Sequence, residues 1–253
     1  MQRSISRLMG CSVRARDGAI GVVNDFYFDD HAWVIRYMVV GTDGWLSGRE
    51  VLISTAALKK PVWKARTFPV DLTRKQVRDS PGIDTHKPVS RSHEDELSAY
   101  YGWPVYWTAN PLLGMGYPVA MQIPPPPLKR RKKATPADSH LRSVSQVTGY
   151  NVRASDGELG HVQDFIVDDR TWDLRYMVVN TRNWLPGKKV LICPKWIRSV
   201  NWKEAKVSVS LTGRAIRESP EYDPSKPVTE DYHRRLHLHY GGTPARRVSA
   251  GVS

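Results

Sequence analysis

Apolar and polar positions alternate along the chain in short runs, each closed by a turn signal. The stretch VRARDG, Val13 to Gly18, alternates and stops on Asp-Gly, which predicts a strand entering a tight hairpin. GVVNDFYF, Gly21 to Phe28, supplies the second strand, and DDHAW the turn after it. WVIRYMVV, Trp33 to Val40, predicts a third strand with Ile35, Tyr37 and Val39 on the core face and Arg36, Met38 and Val40 on the other. VLIS, Val51 to Ser54, is a fourth. Phe68, Val70 and Leu72 alternate with Pro69 and Asp71, a half-exposed strand placed at a sheet edge because proline has no amide hydrogen. TRKQVRDSP reads as a short helix stopped by Pro81, and HEDELSAYY as a last helix closed by Gly102.

The whole pattern returns. RSISRLMG at Arg3 and RSVSQVTG at Arg142 open an alignment that runs without a gap to Gly102 and Gly241, with 43 of 100 positions identical. That is a tandem duplication of one module. Short strands with tight turns predict a mainly β fold: two small β-barrels in tandem, each followed by short helices. The expected organisation is copy 1 over residues 1–102, a Pro-rich basic linker over 103–141, copy 2 over 142–241 and a disordered tail over 242–253. Each half is expected to fold alone, with reliance on shared apolar surface as the intermediate outcome.

DGAIGVVNDFYFDD, Asp17 to Asp30, and DGELGHVQDFIVDD, Asp156 to Asp169, keep four aspartates and two glycines in register. Asp17 and Asp156 precede glycines at a hairpin, where positive φ is expected at Gly18 and Gly157. Asp29-Asp30 and Asp168-Asp169 lie between strands, where aspartate bonds its own backbone. Asp25 and Asp164 stand within a strand beside phenylalanine. The D-x-D-x-D-G spacing of a calcium loop is absent, so the aspartates read as turn residues rather than metal ligands.

These residues carry a family resemblance. The run G-x-x-V-R-x-x-D-G-x-x-G-x-V-x-D-F from Gly10 to Phe26, then R-Y-M-V-V at Arg36, then L-x-G-x-x-V-L-I at Leu46, occurs in that order in both copies. It resembles the PRC-barrel, the small β-barrel of the cytoplasmic part of the photosynthetic reaction-centre H subunit and of the C-terminal domain of a ribosome maturation factor. The resemblance covers roughly residues 3–75 and 142–214. It implies turn roles for the aspartates and a non-catalytic docking or scaffold function, with RNA- or ribosome-associated assembly as the alternative. The H subunit's membrane-spanning helix and the ribosome factor's N-terminal domain have no counterpart in this sequence.

Composition adds little chemistry. The 253 residues suffice for about two domains. The two cysteines, Cys11 and Cys193, fall at non-equivalent places in the repeat, which argues against a disulfide framework and for a reducing cytoplasm. The polar opening MQRSISRLMG is unlike a secretory signal. The nucleophile-elbow, phosphate-loop, dinucleotide and H-E-x-x-H motifs are all missing, so no catalytic, cofactor-binding or metal-binding residue is assigned and no enzyme is expected. His233, His237 and His239 lack a clear further ligand and read as a solvated helix end. The repeated tryptophans Trp33/172, Trp45/184 and Trp63/202 read as packing residues rather than base-stacking platforms.

The join between copies differs from both. Trp103 to Ile123 carries no charge, and Pro104, Pro111 and Pro118 exclude a transmembrane helix. Then PPPPLKRRKK gives a stiff polyproline spacer and a basic run, Lys129, Arg130, Arg131, Lys132 and Lys133. The chain's net charge is +13, of which the copies hold +3 and +4, the linker +4 and Arg246-Arg247 +2. The basic run is therefore the candidate contact for an anionic membrane surface or RNA, and a protein partner is expected besides. The predicted location is cytoplasmic, peripheral to the inner membrane if the run binds lipid.

Overall fold

A computed structural model describes residues 1–42, 44, 46, 48–83, 89–107, 140–181 and 188–241. The basic run 129–133, the tail 242–253 and the pair Trp45/Trp184 lie outside the described residues. Copy 1 contains β1 (Gln2–Ser4), β2 (Ser12–Ala15), β3 (Gly18–Asp29), β4 (Val34–Gly41), β5 (Glu50–Ser54), β6 (Thr67–Pro69), α1 (Arg74–Arg78) and α2 (Arg91–Tyr101). Copy 2 contains β7 (Leu141–Ser143), α3 (Val144–Val147), β8 (Asn151–Ala154), β9 (Gly157–Asp168), β10 (Leu174–Asn180), β11 (Lys189–Ile192), β12 (Ile197–Asn201), β13 (Lys206–Val209), α4 (Gly213–Glu218) and α5 (Glu230–Gly241). The chain is mainly β, as the alternation predicts.

The strands form two sheets. One runs β5-β4-β3-β2-β6 and the other β11-β10-β9-β8-β13-β12, with no pairing that joins the two ends of either path among the described residues. Pro69 does lie in an end strand, β6. One strand of each copy leaves its own sheet. β1 of copy 1 pairs antiparallel with β9 of copy 2, Arg3 opposite Val167, while β7 of copy 2 pairs with β3 of copy 1, Arg142 opposite Phe28. The exchange is reciprocal and its registers are equivalent.

The halves also meet at the turns before β4 and β10. Ile35 N donates to Trp172 O at 2.9 Å, and Leu174 N donates to Trp33 O at 2.8 Å. Both tryptophans adopt left-handed backbone, φ 55° at Trp33 and 64° at Trp172, a conformation held only where surroundings over-determine it. Those surroundings are aromatic. Trp172 stacks on Phe26 and packs on Phe68 of copy 1, and Trp33 packs on Phe165 of copy 2. One apolar core thus runs through both copies. The halves share apolar surface across this seam.

The facing of β4 needs correction. Met38 and Val40, assigned to the outer face, belong to the main core, whereas Tyr37 and Val39 belong to a second cluster with Leu52, Val89 and Leu97 of α2. A register shift near Ile35 returns that residue to the main core. The physical reason is that β4 is covered on both faces, so the run is apolar almost throughout and alternation does not identify the inside. Among the described residues no helix is long and apolar enough to cross a membrane.

Two glycines fix how closely β3 and β4 approach, with the same closeness in copy 2. A Cβ on Gly21 would lie 1.8 Å from Gly41 O, and one on Gly160 would lie 2.0 Å from Asn180 O. Gly21→Ala or Gly160→Ala must push the backbones apart and is expected to cost at least about 2 kcal/mol, read as a lower urea midpoint at unchanged slope. An unchanged midpoint would show that the strands do not approach this closely.

Candidate functional site

The repeated aspartates are latches. Asp25 accepts from Ser143 Oγ at 2.5 Å, Ser145 N at 3.1 Å and Ser145 Oγ at 2.9 Å, all in the first turn of copy 2. Asp164 accepts from Ser4 Oγ at 2.5 Å, Ser6 N at 3.1 Å and Ser6 Oγ at 2.8 Å in copy 1. The next pair repeats the logic: Arg142 Nε donates to Asp30 at 2.8 Å, and Arg3 Nε to Asp169 at 2.7 Å. Each arginine lies over a tryptophan of its own copy, Arg3 on Trp63 and Arg142 on Trp202. Burial pushes the Asp25 carboxyl above the usual range despite its hydrogen bonds. Burial would also raise Asp169, but the Met1 ammonium and Arg3 override it and hold this carboxyl below the usual range.

Turn roles hold for part of the set. Asp29 accepts from His31 N and Ala32 N, and Asp168 from Arg170 N. Asp17 and Asp156 reach further than their hairpin, accepting from Arg74 N at 2.8 Å and Gly213 N at 2.7 Å at the starts of α1 and α4. Gly18 and Gly157 have φ of 151° and 155°, positive as expected. The latch role of Asp25 and Asp164 was not readable from their position. The paired signal was the Ser-x-Ser of RSISR and RSVSQ, which the repeat keeps as strictly as the aspartates.

The two copies part company where the last helix packs on the sheet. In copy 1 the segment after α2 folds back over that place. Tyr106 donates to buried Glu94 at 2.6 Å, stacks beneath the Arg36 guanidinium at 3.9 Å and accepts from Arg91 Nη1 at 3.1 Å. Arg91 also pairs with Glu94 at 3.1 Å and lies over Trp107, and Trp103 stacks on Tyr101. In copy 2 the matching residues, Arg175, Tyr176 and His233, line a cavity of about 510 Å³ with Trp33, Cys193, Lys195 and His237.

His233 and His237 are therefore not a solvated helix end. Their rings pack against each other, His233 hydrogen-bonds the Tyr176 hydroxyl, and His237 Nδ1 lies 2.9 Å from Lys195 Nζ. Burial, then Lys195 and His233, lower the His237 pKa and favour neutral imidazole. Burial pushes the Cys193 thiol up, away from the reactive thiolate. His239 instead bonds Ala215 O. The cavity holds recognition groups of mixed kind: an apolar floor, two cations and two half-buried imidazoles.

Comparison with family models matches the PRC-barrel domain at residues 1–75 and 140–204, once over each copy. The chain belongs to the PRC-barrel domain family. A comparison with curated proteins finds no match. The matched segments of this tandem PRC-barrel chain hold both exchanged strands and all the latch residues. The helices α2 and α5 lie outside them, so of the groove residues His233 and His237 fall beyond the matched domain, while Trp33, Arg175, Tyr176, Cys193 and Lys195 fall within it.

Glu94 gives the site a pH signature. Burial raises its carboxyl from 4.5 to about 7, against the pull of Tyr106, Arg91 and Tyr37. Folding thus favours the protonated acid, and that stability is full below about pH 4.5 and lost as pH rises through about 7. Glu94→Gln cannot ionise and is expected to gain on the wild type by roughly 3 kcal/mol at pH 8 relative to pH 4. The check is chemical denaturation across that range; parallel profiles would show that Glu94 is ionised at no cost.

Proposed function

We propose that the tandem PRC-barrel chain is a non-enzymatic docking module whose copy 2 groove receives a segment of a partner protein. The single observation behind this is internal. Copy 1 covers the equivalent place with its own aromatic segment, Trp103 to Trp107, whereas among the described residues nothing covers the cavity over Tyr176, His233 and His237 in copy 2. What Tyr106 does for copy 1, an aromatic side chain of a partner does for copy 2. Arg175 and Lys195 at the groove favour an acidic segment around that aromatic anchor. This fits the non-catalytic role implied by the resemblance to the H-subunit barrel. The basic run Lys129, Arg130, Arg131, Lys132 and Lys133 holds the module at an anionic membrane surface in the cytoplasm, each residue adding about 1 kcal/mol near such a surface.

The alternative is an RNA- or ribosome-associated assembly factor, favoured by the net charge of +13. One set of variants separates the two. Panning a displayed random peptide library on the wild type should select acidic sequences with an aromatic residue. The Lys195→Glu/His237→Glu variant should bind the selected peptides at least about tenfold more weakly. Replacing the five basic linker residues with serine should abolish co-sedimentation with anionic vesicles and leave peptide binding intact. Failure to select such peptides, together with salt-sensitive RNA binding that survives the serine replacement, would reject docking and favour the alternative.

A further inference from the structure

Two histidines and a carboxylate meet at the end of the strand that copy 2 lends to copy 1. Asp30 opens the turn after β3, His31 follows it, and His140 immediately precedes β7. Asp30 Oδ1 lies 2.9 Å from His31 Nδ1 and 3.9 Å from His140 Nδ1, and the two imidazole rings pack edge to face at 4.4 Å. The candidate ligand atoms of all three residues lie within 4.8 Å of one another. The Asp30 side chain is only 8% exposed. Its Oδ2 accepts from Arg142, and its Oδ1 is buried without a hydrogen-bond partner, because the nearby ring nitrogen is not aligned to donate. Arg142 balances the carboxylate charge, but a buried oxygen in that state still lacks a donor or cation of its own.

The other copy shows what such an oxygen takes. Asp169 stands where Asp30 stands, and it has the same arginine contact on Oδ2, from Arg3 at 2.7 Å. Its Oδ1 receives the Met1 ammonium at 2.6 Å. This carboxylate therefore accommodates a cation beside the arginine. At Asp30, His140 stands where Met1 stands beside Asp169, and His31 stands at the position of the exposed Arg170, so two imidazoles replace the ammonium and an arginine. The duplication exchanges a built-in positive charge for a ligand pair facing an unsatisfied oxygen.

We propose that Asp30, His31 and His140 bind a divalent transition-metal cation of the zinc type, which staples the exchanged strand β7 to β3. Two imidazoles and one carboxylate suit zinc, whereas calcium and magnesium prefer all-oxygen sets. Bonds of about 2.0–2.2 Å put neighbouring ligand atoms of a tetrahedron roughly 3.3 Å apart. The observed 2.9 and 3.9 Å bracket that edge, and the remaining edge between the imidazoles, within 4.8 Å, shortens by rotation of the exposed His31 ring. The exposed side of the histidines leaves the fourth position to water. Neither histidine could be grouped with the other from sequence, since the strand exchange alone brings residue 140 to residues 30 and 31.

The test is a zinc titration of the metal-free full chain against a chromophoric chelator, with thermal melts alongside. The wild type should bind one zinc ion and melt higher with it. His31→Ala and His140→Ala should each bind at least about tenfold more weakly and lose the rise, and His237→Ala should match the wild type. Cobalt should give ligand-field bands with the wild type and His237→Ala, and lose them in the other two. Circular dichroism spectra like the wild type's guard against misfolding of the variants. Equal zinc affinity in wild type, His31→Ala and His140→Ala would overturn the site, as would loss of the ion in His237→Ala. A protein stabilised by acid through the same histidines but indifferent to zinc would also overturn it, leaving a protonated imidazole as the missing cation.

Discussion

The bond between the Asp25 carboxylate and the Ser143 and Ser145 hydroxyls, with its counterpart from Asp164 to Ser4 and Ser6, ties each half of the chain to the first turn of the other. Such charge-assisted bonds contribute about 1.5–3 kcal/mol each when buried. Aromatic packing contributes more. Truncating a buried aromatic costs about 3–5 kcal/mol, and Phe26, Phe28, Phe165 and Trp172 are all buried where the copies meet. The division of labour follows from directionality. Aromatic burial supplies most of the free energy but would tolerate sliding; the carboxylates accept only one register of β1 on β9 and of β7 on β3. Strand exchange thereby also pairs the far ends of β3 and β9, beyond the reach of β2 and β8, whose backbone would otherwise stay unpaired on that side.

Duplication leaves different constraints on different surfaces. The latch aspartates, their serines and their arginines recur in both copies, because each sheet needs its borrowed strand held. The faces beneath α2 and α5 serve no such shared purpose and have diverged: Glu94 became His233, Ser98 became His237 and Ser54 became Cys193. Copy 1 closes that face with Tyr106 and Trp103, while in copy 2 the described residues leave a cavity there.

Much of the fold was legible in the sequence, and what escaped has identifiable causes. Alternation at Val13–Ala15 located its strand correctly, and that at Phe68–Leu72 located β6, which ends earlier, at Pro69. It misassigned β4, because a strand covered on both sides has no polar face to betray its orientation. Gly102 marked the end of α2, where its left-handed φ of 70° is required. Asp29 and Asp168 were readable as turn residues because their partners are their near neighbours in the chain, whereas Asp25 and Asp164 act across 118 and 160 residues. The exchange itself was invisible for the same reason: an alignment of two copies shows that they are alike, not whether each keeps its own first strand. The groove depends on that kind of long-range meeting too, since Trp33 of copy 1 lines it beside His233 of copy 2.

The central claim is that the two copies form one interlocked unit. It is tested most directly by cutting the full chain at a protease site placed within residues 108–139 and measuring the mass of the product in solution. The account predicts that the halves stay together as a one-to-one complex at the mass of the intact chain, and that they separate only on unfolding. Two fragments that part under native conditions, each monomeric and each retaining the full thermal stability of the uncut protein, would contradict it.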